Sequence, residues 1–185
     1  MAEDGTCYTF AELGDVLIVN DRIYDHKTLR VNFSTYDMRR EYDIINPSKH
    51  ANVMCISPSF DHDINQAEDG HPFLYARVLG VYHAEVIHSV SGSQGSTAQT
   101  MEFLFVRWYN RDATYHAGFQ HRRLHRLSLG DADLDKSYGF LDPDEVIRGC
   151  HLIPAFAHGR QAMASVIPQQ TDPPLPEWKF HYVNW

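Results

Sequence analysis

The sequence predicts a mainly β domain, and three observations predict it. Two long runs rich in aromatic and β-branched residues, 72–88 (PFLYARVLGVYHAEVIH) and 101–111 (MEFLFVRWYNR), flank a Ser- and Gly-rich loop, as the central hairpin of a small β domain would. Residues 27–36 (KTLRVNFSTY) alternate with period two. The clearest helix signal is a single turn at 142–149 (DPDEVIRG), set among many short strands. A twisted β-barrel or folded sheet with one or two short helical turns fits this pattern.

In chain order, residues 15–20 (DVLIVN) are a compact apolar run, expected as a buried strand. In 27–36, Leu29, Val31, Phe33 and Thr35 share one face, and Arg30, Asn32, Ser34 and Tyr36 the other, as in a half-buried strand. The charges of 37–47 (DMRREYDIINP) fit either a helical turn or a solvated loop, ended by Asn46-Pro47. A short strand at 52–57 (NVMCIS) leads into an acidic loop, 58–70, with Asp61, Asp63, Glu68 and Asp69. The run 72–88 is longer than most strands, so a bulge or bend near Gly80 is expected. The loop 89–100 (SVSGSQGSTAQT) is expected to be flexible.

Residues 112–121 are a Gly-containing connection, 122–129 (RRLHRLSL) alternate imperfectly, and 131–137 form a second acidic loop. In 142–149, Asp142 is placed as N-cap, Pro143 at the first helical position, Glu145 as the capping-box acid and Gly149 as the left-handed C-terminal residue. A last core strand, 150–156 (CHLIPAF), is interrupted by Pro154. Residues 1–167 are thus expected to be one β-rich domain. In 168–185 a Pro-rich segment (PQQTDPPLP) leads to an aromatic strand (EWKFHYVNW), expected to dock back because its rings are costly to leave in water.

Composition narrows the function. The 185 residues carry 16 basic and 24 acidic side chains, a net charge of −8, which argues against a protein whose whole surface grips nucleic acid. Cys7, Cys55 and Cys150 show no CxxC spacing, which suits a reducing compartment and no zinc ribbon. No signal peptide is legible, and no apolar run approaches the ~20 residues of a membrane helix. Neither GxSxG nor HExxH occurs. The His116, His121, His125 group and Asp61-His62-Asp63 lack tight ligand spacing, so no metal, no cofactor and no enzymatic activity are expected.

Three stretches, Tyr75-Ala76-Arg77-Val78, Val106-Arg107-Trp108-Tyr109-Asn110-Arg111 and Val146-Ile147-Arg148-Gly149-Cys150-His151-Leu152, resemble in order and spacing the motifs of the bromo-adjacent homology (BAH) domain, over about residues 72–156. Five more extended stretches resemble a region of the large proteins of fungal DNA transposons of the Plavaka (CACTA-like) group: TYDMRREYDIINP, HPFLYARVLGVYH, MEFLFVRWYNRD, YGFLDPDEVIRGCHLIPAFAHGR and HYVNW. The two resemblances imply a transposon-derived, nuclear, non-catalytic chromatin or protein-interaction module that binds a peptide such as a histone tail. They imply an aromatic cage at Phe73 or Tyr75, Trp108 and Asn110. Asn110 stands where the family has an aromatic, and Asp112 where it often has Pro, so Tyr109 or Tyr115 would have to complete the cage. The peptide-binding candidates are Phe73, Tyr75, Trp108, Tyr109, Asn110 and Asp112. Trp108 equally suits the core of a β domain. The alternative is a nucleic-acid-binding accessory domain, with Arg107, Arg111, Arg122, Arg123 and Arg126 facing phosphates.

Overall fold

The computed structural model describes residues 16–57, 71–88, 97–130, 137–161 and 177–184. Its strands run β1 (Val16–Ile18), β2 (Tyr24–His26), β3 (Leu29–Ser34), β4 (Arg40–Ile45), β5 (Asn52–Ile56), β6 (Phe73–His88) and β7 (Gln99–Arg111). They continue with β8 (Arg126–Leu129), β9 (Tyr138–Leu141), β10 (Val146–Gly149), β11 (His151–Pro154), β12 (Arg160–Gln161), β13 (Glu177–Trp178) and β14 (His181–Asn184). The only helical elements among the described residues are short 3-10 turns. None is long and apolar enough to cross a membrane.

The two long runs pair with each other. β6 and β7 are antiparallel from Ala76↔Trp108 to Val86↔Gln99, with a register shift between Val78 and Gly80. Gly80 stands at the shift, where a Cβ would lie 2.4 Å from the Tyr82 ring. β5 and then β10 extend the sheet beyond β6, and β8, β14 and β11 extend it beyond β7, giving the order β10-β5-β6-β7-β8-β14-β11. β1 and β2 pair with the distal half of β6, and β9 with β7. The path is open, so the expected barrel is not closed. Its end strands, β10 and β11, are consecutive in the chain and meet at a corner. There Cys150 N donates to Asn52 O at 2.9 Å before β11 turns away to pair with β14.

Each face of the central hairpin builds a core. On one face Val78, Val81, Leu104 and Val106 pack with Val53, Cys55 and Val146, and with Val31 and Ile45 of the separate β3–β4 hairpin. On the other face Tyr75 and Tyr109 pack with Met54, Leu127 and Val183, the last two reaching back from β8 and β14. The aromatic C-terminal strand is thus a central strand of the sheet, between β8 and β11. Further along the same face, the rings of Tyr82, Phe103, Phe105, Tyr138 and Phe140 form a chain of contacts 5.6–5.9 Å apart between centroids.

Three local expectations are corrected. β1 is exposed rather than buried, because it pairs only along the distal end of β6. The charged stretch 37–47 contains β4, whose Asp43 and Ile45 face inward opposite Val31 and Leu29, while Arg40 and Glu41 at its start are exposed. In 142–149 the turn is a 3-10 turn, Pro143–Glu145, capped by Asp142, whose Oδ1 accepts from Asp144 N at 2.9 Å. Gly149 is not left-handed but a strand residue opposite Val53. Close approach is its role: a Cβ there would meet Ile45 Cδ1 at 3.2 Å. The acidic loop 58–70, most of loop 89–100, Asp131, Asp133 and Asp135, and the Pro-rich 168–176 lie outside the described residues.

Candidate functional site

The exit of β7 builds the site. Asp112 ends the strand and organises the loop after it. Its Oδ1 accepts from Thr114 N at 3.0 Å and from the Thr114 hydroxyl at 2.6 Å, an Asx turn that reverses the chain. Its Oδ2 accepts from Arg126 Nε and Nη2 at 2.9 and 2.7 Å. The Thr114 hydroxyl, with Arg126 beside it, holds the Asp112 carboxyl below the ordinary aspartate value. The Arg126 guanidinium lies over the rings of Tyr115 (4.3 Å) and Phe180 (4.5 Å), so it ties this loop to the C-terminal segment.

Past the Asx turn the chain makes a second reversal. Gly118 N donates to Arg123 O at 2.8 Å, and between them Phe119–His121 form a 3-10 turn. Gly118 (φ 94°) and Arg122 (φ 50°) take the left-handed conformations that close it. Phe119, Gln120, His121 and Arg122 all face solvent, Phe119 at 90% exposure.

These two turns and the start of β6 enclose an open groove of about 980 Å³. Its cations are Arg111, Arg122 and Arg123. Its imidazoles are His71 and His125, with ring centroids 4.0 Å apart, and His116 and His121, at 5.5 Å. Its aromatic rings are Phe73, Tyr115 and Phe119. Among the described residues the one carboxylate lining it is Asp112, already engaged by Arg126.

The groove separates the peptide-binding candidates. Phe73 and Asp112 line it, and Asn110 is exposed nearby on β7. Tyr75 and Tyr109 do not reach it, because both are buried in the second core. The Tyr109 hydroxyl donates to Asn52 Oδ1 at 3.0 Å, and the Tyr75 hydroxyl lies 3.0 Å from His71 Nε2. Burial pushes both phenols above the ordinary tyrosine value. Trp108 points to the opposite face and packs on the first core, where Gly139 makes room for it: a Cβ there would lie 2.8 Å from Trp108 Nε1. Period two sends Trp108 to one face and its neighbours Tyr109 and, across the pair of strands, Tyr75 to the other, so these rings do not share a pocket.

Of the basic candidates, Arg111, Arg122 and Arg123 converge on the groove. Arg126 is committed to Asp112. Arg107 is buried on β7, donates from Nε (3.1 Å) and Nη2 (2.5 Å) to Gly130 O, and lies 3.8 Å from Glu177, so it faces no phosphate. His71, Tyr115 and Phe119 complete the site. Of these, Tyr115 enters the sequence reading only as a substitute cage ring, and Phe119, set among Ala113, Tyr115 and Ala117, carries no signal of its own.

Burial raises the Cys55 thiol to about 11 and the Cys150 thiol to about 12, so neither is a nucleophile at neutral pH. Among the described residues no group of three or more His, Cys, Asp or Glu side chains is arranged to hold a metal ion, and Asp61-His62-Asp63 lies outside them. Compared with protein-family models, with curated proteins and with solved structures, the chain matches none.

Proposed function

We propose that this domain is a non-catalytic binding module that takes a nucleic-acid backbone into the groove at the β7 exit. The observation that carries this reading is the groove's composition: three guanidiniums and four imidazoles converge with three aromatic rings around a single, already neutralised carboxylate among the described residues. Guanidinium forks match phosphate oxygens, and rings beside them suit bases. A methyl-ammonium ligand needs the reverse, open aromatic faces with an unpaired carboxylate, and of the rings considered for that role Trp108 packs on one core and Tyr75 and Tyr109 in the other. The net charge of −8 is compatible with a local contact of this kind but not with a long binding track.

The resemblance to BAH domains is carried by three stretches, which fall on β6, on β7 and across the corner between β10 and β11. Together with the likeness to Plavaka-type transposon proteins, this supports reading the domain as a nuclear, transposon-derived accessory module.

Fluorescence anisotropy with labelled DNA and RNA oligonucleotides, beside a histone-tail peptide array, tests the proposal. Two to three phosphate contacts give a log–log salt slope of about −1.4 to −2.7, hence a loss of roughly 7- to 40-fold in affinity from 50 to 200 mM salt. Arg122→Gln with Arg123→Gln should flatten that slope by about the share of two contacts. Peptide binding without nucleic-acid binding, or affinity indifferent to salt, overturns it.

A further inference from the structure

We infer that the groove prefers strands whose bases are unpaired, and that Phe119 is the ring on which a base stacks. This rests on the nucleic-acid reading of the groove and goes beyond it, since a backbone contact alone does not distinguish a single strand from a duplex.

Three observations carry the inference. Phe119 is 90% exposed at the tip of its turn. The turn is held in place from both ends: the Gly118–Arg123 bridge closes it, and two left-handed residues, Gly118 and Arg122, set its path. The ring is therefore presented by a defined backbone rather than by a slack loop, which lowers the ordering cost of any contact it makes. Finally, its neighbours are suited to a strand's phosphates. His121, Arg122 and Arg123 follow it after Gln120 and line the same groove, and Arg123 leans on the Tyr115 ring at 5.9 Å. A ring flanked by cations is the arrangement that stacks a base while the backbone passes alongside. A duplex keeps its base faces inside the helix and offers a side chain only edges and phosphates, so the same ring gains little from it.

The test compares four probes of equal phosphate number at 150 mM salt: single-stranded DNA, single-stranded RNA, an abasic single strand and a blunt DNA duplex. The intact single strands are expected to bind roughly 5- to 100-fold more tightly than the abasic strand and the duplex. Phe119→Ala should bring the intact strands down to the abasic level and leave abasic affinity and salt slope unchanged. Phe119→Trp should restore the difference. A melt unchanged by Phe119→Ala, expected for a side chain so exposed, separates lost stacking from lost folding. Equal binding of intact and abasic strands, or tighter binding of the duplex, sinks the inference while the backbone reading survives. Absence of binding to all four probes sinks both.

Discussion

Replacing Glu177 with Ala should destabilise the whole domain, although it removes one side chain from a two-residue strand near the C-terminus. Glu177 Oε1 pairs with Arg77, and Oε2 lies 3.8 Å from Arg107 Nη1. Arg77 and Arg107 are direct cross-strand partners on β6 and β7, so without the carboxylate two guanidiniums face each other. The side chains are 35% (Arg77), 9% (Arg107) and 17% (Glu177) exposed. Arg77 is wet enough that its half of the pair is worth only about 0–1 kcal/mol. The Arg107 half is different. At 3.8 Å and an effective dielectric of about 20, the attraction is about 4 kcal/mol before desolvation is subtracted. Leaving one buried partner alone costs about 3–5 kcal/mol. Arg107 keeps its two bonds to Gly130 O, which places Glu177→Ala at the lower end, about 3 kcal/mol. Glu177→Gln, which keeps the shape and one acceptor, should lose about half of that. Urea unfolding monitored by tryptophan fluorescence measures the loss, and an unchanged m-value would keep it in the folded state. A loss under about 1 kcal/mol, the size of an exposed pair, would mean that Arg107 is solvated and that the carboxylate does not secure the C-terminal strands.

The same packing makes two further outcomes testable. Trp108→Ala should cost about 3–5 kcal/mol and leave oligonucleotide affinity unchanged wherever the variant is folded; a nearly unchanged melt with lost binding would return Trp108 to the site. Asp112 has a lowered folded-state pKa, so its stabilising contribution is complete above the ordinary aspartate value of about 3.9 and disappears as pH falls through the lower folded value. Stability measured from pH 7 down to pH 2 should therefore fall less steeply for Asp112→Asn than for the parent in that acid window, and parallel curves would show that the Thr114 and Arg126 contacts do not favour the charged form.

The groove was only partly legible in the sequence. Arg111, Arg122, Arg123 and Asp112 could be picked out because they cluster along the chain near the end of a strong strand. His71 could not, since it joins His125 only when β6 and the loop after β7 come together. The Arg126–Asp112 pair was hidden for a related reason: a basic cluster reads as a patch until the fold shows which member is neutralised. Arg107 and Arg111 are alike in sequence, yet one is buried beside Glu177 and the other lines the groove.

The local features follow from the chain's own pattern: period-two alternation for β3, aromatic and β-branched richness for β6 and β7, Gly80 for the bulge and Asp142-Pro143 for the turn before β10. Which face of β7 meets which core, and with it the fate of Trp108 and Tyr109, follows from long-range packing. Alternation states that neighbouring side chains oppose each other but not what lies on either side. Here the second core exists because β8 and β14 return over Tyr75 and Tyr109, partners supplied from far along the chain. Packing with such partners, absent from any local window, put Tyr75 and Tyr109 in a core and left the groove to the loop beyond them.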